Sequence, residues 1–254
     1  MKRGLRASVA AWGIVLYVGC RAIDIVLQAQ SLAAAVGQVV LVEWGSSRLG
    51  VTWSDPTPPT SNAATAWRVA AGAAWGFLGA ALLFGTLFLS RSVGVEAVAH
   101  IEVSVLAIGL GTAALHSWRD ELLFHGITLR MLEGTPVSPV FKVLACGVTS
   151  AGAALGRSDS TARSVVVAAL LGIAFGALWV QDRGAWQPSA AHAAFRWSTG
   201  TLLSGGIVHS RLADNAWAGG NAGMLGGTAA VIALAPACIF ALGWTAQRIS
   251  PRSA

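Results

Sequence analysis

The sequence predicts an all-α protein, a polytopic transmembrane helical bundle of about eight spans. Of its 254 residues, 55% are hydrophobic and only 11% are charged, whereas soluble domains carry roughly 25% charged residues. The apolar runs are long enough to cross a bilayer, which takes about 20 residues per helix. Ala, Gly and Leu dominate these runs without the alternation of a transmembrane barrel, and helices satisfy their own backbone amides in lipid.

Apolar runs separated by polar segments predict where the helices lie. Spans are expected near 7–28, 67–89, 94–115, 138–155, 161–181, 187–207 and 223–246. The weaker stretch 29–45 is either a re-entrant or interfacial segment or a full further span. Residues 46–66 form a loop rich in Pro, Ser and Thr that cannot be helical throughout. The segment 116–133 is less apolar, so we expect a helix that faces the protein interior.

Basic residues near both ends predict the orientation of the chain. Lys2, Arg3 and Arg6 favour a cytoplasmic N-terminus, and Arg248 and Arg252 favour a cytoplasmic C-terminus. An even number of spans satisfies both. The sequence therefore predicts one integral membrane domain, residues 1–254, that crosses a cytoplasmic (inner) membrane several times and has the lipid bilayer as a partner.

Small and aromatic residues fit the same interpretation. Gly72 and Gly76 lie four residues apart in GAAWG, a spacing that lets two helices approach closely. Asp24, late in the first span, is interpreted as a helix-end charge near the interface. Several tryptophans lie near predicted span ends, as in an aromatic belt: Trp44, Trp67, Trp118 and Trp186.

The charges and cysteines exclude several other classes. The net charge is +6, but the basic residues are scattered singly, without the basic stripe or aromatic platform of a nucleic-acid-binding protein. Cys20, Cys146 and Cys238 lie far apart in apolar segments, in neither a metal-type spacing nor a disulfide framework. No cofactor is expected, and the sequence leaves the oligomeric state open.

One short stretch, SWRDELLFHG at 117–126, concentrates charge in this apolar chain. On a helix His116 stacks over Asp120, and Glu121 over His125. A loop helix with solvated ion pairs is one interpretation. The neighbouring apolar residues favour a second interpretation, a functional site inside the protein, because ionisable groups at membrane depth usually face a polar interior and mark such a site.

Carboxylate and imidazole groups in this arrangement support two kinds of chemistry. A carboxylate can take a proton from water in general acid–base hydrolysis. Alternatively, His and carboxylate four residues apart can supply two metal ligands on one face. The spacing is not HExxH, which makes the metal interpretation the weaker of the two.

The motif DELLFHG resembles EExxxR, often EELLFRG, of the CPBP intramembrane proteases, the relatives of the CAAX prenyl protease Rce. A second match is AHAAFRW at 191–197, which corresponds to the family's HxxxN motif. The stretch LLGIAFGALWVQDRGAWQPSAAH also resembles the segment that precedes that histidine. The resemblance covers residues 95–207. It implies a bundle of eight helices that cleaves peptides within the membrane, with an acidic residue activating water.

The resemblance assigns roles residue by residue. Asp120 takes the water-activating position and Glu121 the second acidic position, while His125 stands where the family has Arg. His192 takes the histidine position of the later motif, and Arg196 stands where Asn is usual. Arg196 retains the ability to stabilise an oxyanion, whereas His125 cannot hold a carboxylate in two places as Arg does.

The family's FxxxH motif has lost its histidine in this chain. By distance from the first motif it falls at Ser150 and Ala154, and an alternative placement at Phe175 and Trp179 lacks the histidine as well. This pattern fits three alternatives: an inactive homologue, a protease whose catalytic residues have been rearranged, or a site with a new function. In a rebuilt site His125 or His116 would supply the missing imidazole.

The function expected from these matches is an intramembrane endopeptidase acting on a membrane-embedded or membrane-proximal peptide. Its candidate catalytic residues are Asp120, Glu121, His125, His192 and Arg196, with no metal. The composition fits high-GC bacteria, some of whose similar proteins are sorting proteases. The alternatives are a catalytically silent peptide-binding protein with a chaperone or immunity role, and a metal-dependent membrane hydrolase.

Overall fold

A computed structural model of the protein describes residues 3–27, 32–51, 53, 61–157 and 160–247. This part of the chain is mainly helical. The helices are α1 (Arg3–Leu27), α2 (Leu32–Arg48), α3 (Asn62–Leu89), α4 (Val103–Asp120), α5 (Ile127–Met131), α6 (Pro139–Leu155), α7 (Ala162–Asp182), α8 (Trp186–Trp197) and α9 (Thr228–Gln247). Two short strands, β1 (Val93–Ala97) and β2 (Val208–Leu212), two π-helical segments (Glu121–Gly126 and Ser198–Leu202) and two short 3-10 helices (Gly220–Ala222 and Met224–Gly226) complete the regular structure.

Four helices of the described part are long and apolar enough to cross a membrane. These segments are Ala7–Leu27, Asn62–Leu89, Ala162–Asp182 and Thr228–Gln247. The all-α class and the membrane character of the chain are thereby confirmed, whereas eight spans are not. Helices such as α6, with 17 residues, and α8, with 12, are shorter than the roughly 20 residues of an ordinary crossing.

Strand β1 replaces the start of one predicted span, and β2 follows directly after the end of another. β1 and β2 pair antiparallel, with Val93 opposite Leu212 and Ala97 opposite Val208. Consequently α4 begins only at Val103, well after the expected start of the span at 94–115. The helix expected at 187–207 is shorter in the structure: the α-helical part of α8 ends at Trp197, a π-helical segment continues it to Leu202, and a turn then leads into β2.

Close helix packing places α8 in the middle of the bundle. It contacts α3 on one side and α4 on the other, and α7 packs against α6 and α9. The contact with α3 depends on Gly72 and Gly76: a Cβ atom at Gly72 would lie 2.2 Å from the carbonyl oxygen of Gln187, and one at Gly76 only 2.1 Å from that of Ala191. The small-residue spacing therefore sits where two backbones meet.

Large apolar side chains cover the outside of the bundle. Ile25 on α1, Phe88 on α3 and Ile239 on α9 are 58–80% exposed, and many others are similar. Soluble monomers rarely expose such extensive apolar surface. In a bilayer the same side chains face lipid, in agreement with the membrane character of the chain.

The tryptophans divide into two groups. Trp44 and Trp67 are at least half exposed, as a belt at the membrane surface requires. Trp118 instead packs its ring against Trp53, which also contacts Trp186. The indole N–H groups of Trp53 and Trp118 both donate to the carboxylate of Glu43, so this second group is a packed cluster inside the fold.

Several sequence predictions concern residues outside this description. Lys2, Arg248 and Arg252 lie outside the described residues, as do the side chains of Arg3 and Arg6. The cytoplasmic location of both termini and the single domain over 1–254 therefore stay predictions. The same holds for most of the Pro-rich part of the loop 46–66, although α2 runs into this loop as far as Arg48.

We expect Gly76→Ala to lower the stability of the bundle. The added methyl group would force α3 and α8 apart, and such overpacking costs about 1–3 kcal/mol. Gly85→Ala, on the same helix, is the matched control, because no atom lies within 4 Å of a Cβ atom there. Thermal unfolding in detergent measures both. Equal midpoints for the two variants would contradict the close contact between α3 and α8.

Candidate active site

The motif DELLFHG lies where α4 changes from an α-helix into a π-helix. The α-helical part ends at Asp120, and the π-helical segment covers Glu121–Gly126 before α5 begins. Within this segment backbone bonds reach back five residues, as the Ile127 N–H does to the carbonyl of Leu122. Such segments are rare and are frequent at functional sites. This one turns the acidic and imidazole groups of the motif into the bundle.

Glu121 lies at the centre of the site and has no exposed surface. Its Oε2 atom is 2.7 Å from Nδ1 of His125, one turn further along the same helix. Its Oε1 atom is 3.0 Å from Nδ1 of His192 on α8. Each carboxylate oxygen therefore has an imidazole partner, and each imidazole keeps its Nε2 atom for another contact.

Asp120, the adjacent acidic residue, belongs to a different network. Its Oδ1 atom accepts a hydrogen bond of 2.7 Å from Nε of Arg119. Its Oδ2 atom accepts one of 2.8 Å from Nη1 of Arg196 on α8. The two neighbouring carboxylates of the motif thus have unlike partners, two guanidinium groups for Asp120 and two imidazoles for Glu121.

A chain of polar contacts connects Asp120 to the first two helices. The guanidinium group of Arg119 also donates to the side-chain oxygen of Gln38 on α2. The amide nitrogen of Gln38 donates in turn to the carboxylate of Asp24 on α1. The side chain of Asp24 is only 12% exposed. Asp24 is therefore part of a network that reaches the site, and the sequence interpretation as an interfacial helix-end charge missed this contact.

Contacts from α7 fix the helix that carries His192 and Arg196. At the end of α7 the carboxylate of Asp182 accepts from the backbone N–H of Gln187, in the first turn of α8. It also pairs with Arg68 of α3 at 3.2 Å. Further back on α7, the ring of Phe175 stacks on the imidazole of His192, with centroids 4.5 Å apart. These contacts set both the start of α8 and the orientation of its imidazole.

Neither placement of the lost FxxxH motif brings an imidazole to the site. Ser150 and Ala154 on α6 both line the cavity described below, and Ser150 Oγ is 3.4 Å from Nε2 of His125. Trp179, in the other placement, packs beside Gly126, where a Cβ atom would lie 2.9 Å from its ring. The second imidazole of the site therefore comes from the motif helix, through His125.

A cavity of about 660 Å³ opens beside these groups, within the range of typical ligand sites. Four of the five candidate residues line it: Asp120, His125, His192 and Arg196. Apolar side chains, among them Leu171, Phe175 and Phe195, form other parts of its wall. Glu121 lies behind this surface, so it reaches the cavity through its two imidazole partners.

No group of three or more His, Cys, Asp or Glu side chains among the described residues has an arrangement that would hold a metal ion. His116, which the sequence stacks over Asp120, is buried, and in the described part of the chain its Nδ1 atom has no hydrogen-bond partner. Through Nδ1 His116 therefore makes no hydrogen bond to either carboxylate network, although the charges of Asp120, Arg119 and Arg196 act on its ring.

Comparison with known families supports the relationship that this geometry suggests. Residues 102–198 match the family model described as type II CAAX prenyl endopeptidase Rce1-like. This match supports a relationship of residues 102–198 to the CPBP family. The match lies inside the range 95–207 that carries the motifs, and it includes every candidate site residue. No curated protein and no solved structure matches the chain significantly.

Compared with the CPBP motifs that the sequence resembles, the site has both expected and unexpected parts. The structure brings together all the residues that the two motifs supply: Asp120, Glu121, His125, His192 and Arg196. Sequence reasoning missed Gln38, whose signal was that it is one of only two amide side chains in the apolar stretch 29–45. It also named Ser150 only as a position without its usual aromatic residue, and gave no role to its hydroxyl group.

We expect Glu121→Ala to destabilise the protein by about 2–5 kcal/mol. The substitution would leave two buried imidazole N–H groups without an acceptor, and each unsatisfied group costs about 1–3 kcal/mol. The control is Glu96→Ala, since the Glu96 side chain is 55% exposed and pairs only with exposed Arg211. There the loss should stay below about 1 kcal/mol. Unfolding in detergent gives both values, and similar losses would contradict the buried cluster.

Proposed function

We propose that this protein is a CPBP-like intramembrane endopeptidase that hydrolyses a membrane-embedded or membrane-proximal peptide. The observation that carries the proposal is Glu121, a carboxylate without solvent access whose two oxygens bind the two imidazoles of His125 and His192. Carboxylate–imidazole pairs of this kind orient a general base, because the carboxylate fixes which ring nitrogen carries the proton.

In the proposed reaction His192 activates water. Its Nδ1–H donates to Glu121, so the neutral ring has a free lone pair on Nε2, and His192 lines the cavity. Water that gives a proton to Nε2 can attack the peptide carbonyl, and the ring then returns the proton to the leaving amine. Glu121 acts through the imidazole and is a positioning residue in this account.

Asp120 has another role in the proposal. The resemblance to the EExxxR motif implies water activation by Asp120, but both of its oxygens bind guanidinium groups, which offset its negative charge. We assign it instead to holding Arg196 at the cavity wall. The remaining N–H groups of Arg196 then stabilise the oxyanion that forms when the carbonyl is attacked.

The setting supports a substrate that comes from the membrane. The long apolar helices α1 and α7 both contribute residues to the cavity wall, and the cavity combines charged groups with apolar wall residues. The substrate class we propose is therefore a peptide in or next to the bilayer of a cytoplasmic membrane. A protein-sorting or processing role in a bacterium, such as removal of a C-terminal membrane anchor, is the subtype that the composition favours.

A catalytically silent, peptide-binding protein is the second candidate. The observation in its favour is the loss of the FxxxH histidine, since Ser150 and Ala154 stand at the Phe and His positions of that motif. In that case the cavity would bind the same peptides as a chaperone or an immunity factor and leave them intact. A metal-dependent hydrolase is the third alternative, and chelator treatment in the same assay distinguishes it.

We expect Glu121→Gln and His192→Ala each to lower kcat for peptide cleavage by about 10²–10⁴-fold, with a small change in KM, because both remove general-base catalysis. Asp120→Asn should lower kcat by less, about 10-fold, since the amide oxygen still accepts from one guanidinium group. The assay uses the purified protein in detergent and C-terminal transmembrane peptides as substrates.

The matched control for His192→Ala is His100→Ala, because His100 is exposed, lies between β1 and α4, and does not line the cavity. It should cleave at the rate of the unchanged protein. Cleavage that survives Glu121→Gln, His192→Ala and Asp120→Asn would rule out the proposed site. Peptide binding without cleavage would support the silent alternative, and loss of cleavage on chelation would support the metal-dependent one.

A further inference from the structure

Ser150 occupies an unusual place in the cavity wall. It lies in the last part of α6, is partly buried, and lines the cavity together with His125 and His192. Its hydroxyl oxygen is 3.4 Å from Nε2 of His125. That nitrogen is the one which faces away from Glu121, so three side chains form a continuous series from a hydroxyl group through an imidazole to a carboxylate.

The order of atoms in this series matches that of a nucleophilic serine, its base and the group that orients the base. Glu121 Oε2 accepts from Nδ1–H of His125 at 2.7 Å. The neutral ring therefore has its lone pair on Nε2, where it can accept the proton of the Ser150 hydroxyl group. A separation of 3.4 Å is long for a formed hydrogen bond, but contacts between nucleophile and base are often looser without substrate.

A glycine on the facing helix leaves room for the hydroxyl group. At Gly172 on α7, a Cβ atom would lie 2.5 Å from Ser150 Oγ. Any side chain at this position would push the hydroxyl group out of its place. The close approach of α7 to α6 thus includes the point where Ser150 reaches His125.

Two departures from the family pattern meet in this contact. His125 stands where the family has Arg, and Ser150 stands where its lost FxxxH motif begins. Each change alone removes a group that the family uses. Together they place an imidazole beside a hydroxyl group, at the edge of the same cavity.

We propose that Ser150 is a nucleophile of this site, activated by His125 and Glu121. The inference rests on the proposed peptidase function and adds a covalent step to it. Ser150 Oγ bonds to the peptide carbonyl carbon while its proton passes to Nε2 of His125. The C–N bond then breaks, the amine leaves with that proton, and an ester joins the N-terminal part of the peptide to Ser150. Water activated by His192 hydrolyses the ester, which releases the carboxylic acid and restores the hydroxyl group.

Separate roles for His125 and His192 in the two steps explain why one carboxylate, Glu121, binds two imidazoles. His125 serves the hydroxyl group in the first half of the reaction, and His192 serves water in the second half. Both rings line the cavity on either side of the buried Glu121. Under direct attack by water, in contrast, the contact between Ser150 and His125 would have no function.

The test uses the full-length protein in detergent and a fluorophosphonate probe, which phosphonylates an activated serine hydroxyl group with loss of fluoride. We expect one covalent adduct on the peptide that contains Ser150, found by mass spectrometry after digestion. Ser150→Ala should abolish the adduct and lower peptide cleavage by about 10³-fold or more. Ser104→Ala is the matched control, since Ser104 is exposed on α4 and does not line the cavity.

The outcomes separate this inference from the proposed function, because labelling needs no peptide substrate. Labelling of Ser150 with no cleavage of any peptide would support the nucleophile and contradict the peptidase. Full cleavage by Ser150→Ala, with an unchanged unfolding temperature, would overturn the nucleophile and leave the peptidase with direct attack by water. Absence of any adduct on Ser150 in the unchanged protein would also overturn it.

Discussion

A carboxylate buried among apolar helices must have polar partners, and the arrangement of the whole site follows from how Glu121 finds them. An isolated charge in such surroundings is very costly, whereas paired and hydrogen-bonded groups are tolerated. Glu121 has no exposed surface and receives one imidazole from its own helix and one from α8. This requirement holds α8 against the motif helix. The glycines of α3 let α3 and α8 pack closely as well.

The same constraint separates two carboxylates that are neighbours in sequence. The π-helical segment begins directly after Asp120, so Asp120 and Glu121 face different parts of the bundle. Asp120 meets guanidinium groups and the cavity, and Glu121 meets imidazoles behind it. Adjacent acidic groups with unlike surroundings can take different chemical roles. One holds the group that stabilises negative charge, and the other orients the bases.

The sequence predicts much of this site and less of the fold. Asp120, Glu121 and His192 were identified from the motifs and from the free-energy cost of placing ionisable groups at membrane depth. Charged residues are rare in this chain, so the spacing of those present is informative. The π-helical segment is not readable, since its residues have the same helical pattern as an ordinary turn. Strands β1 and β2 were missed because hydropathy alone measures apolar length and carries no information on pairing between residues more than 100 positions apart. The contact of Ser150 with His125 likewise depends on how α6 packs.

The most direct test of the account is the protonation of the two imidazoles that share Glu121. Nitrogen NMR on histidine-labelled protein in detergent distinguishes a proton on Nδ1 from one on Nε2, and single substitutions assign the five histidines. The account predicts that His125 and His192 both carry their proton on Nδ1 and that Glu121→Gln shifts both signals. Signals of His125 and His192 with the proton on Nε2, unchanged by Glu121→Gln, would contradict it.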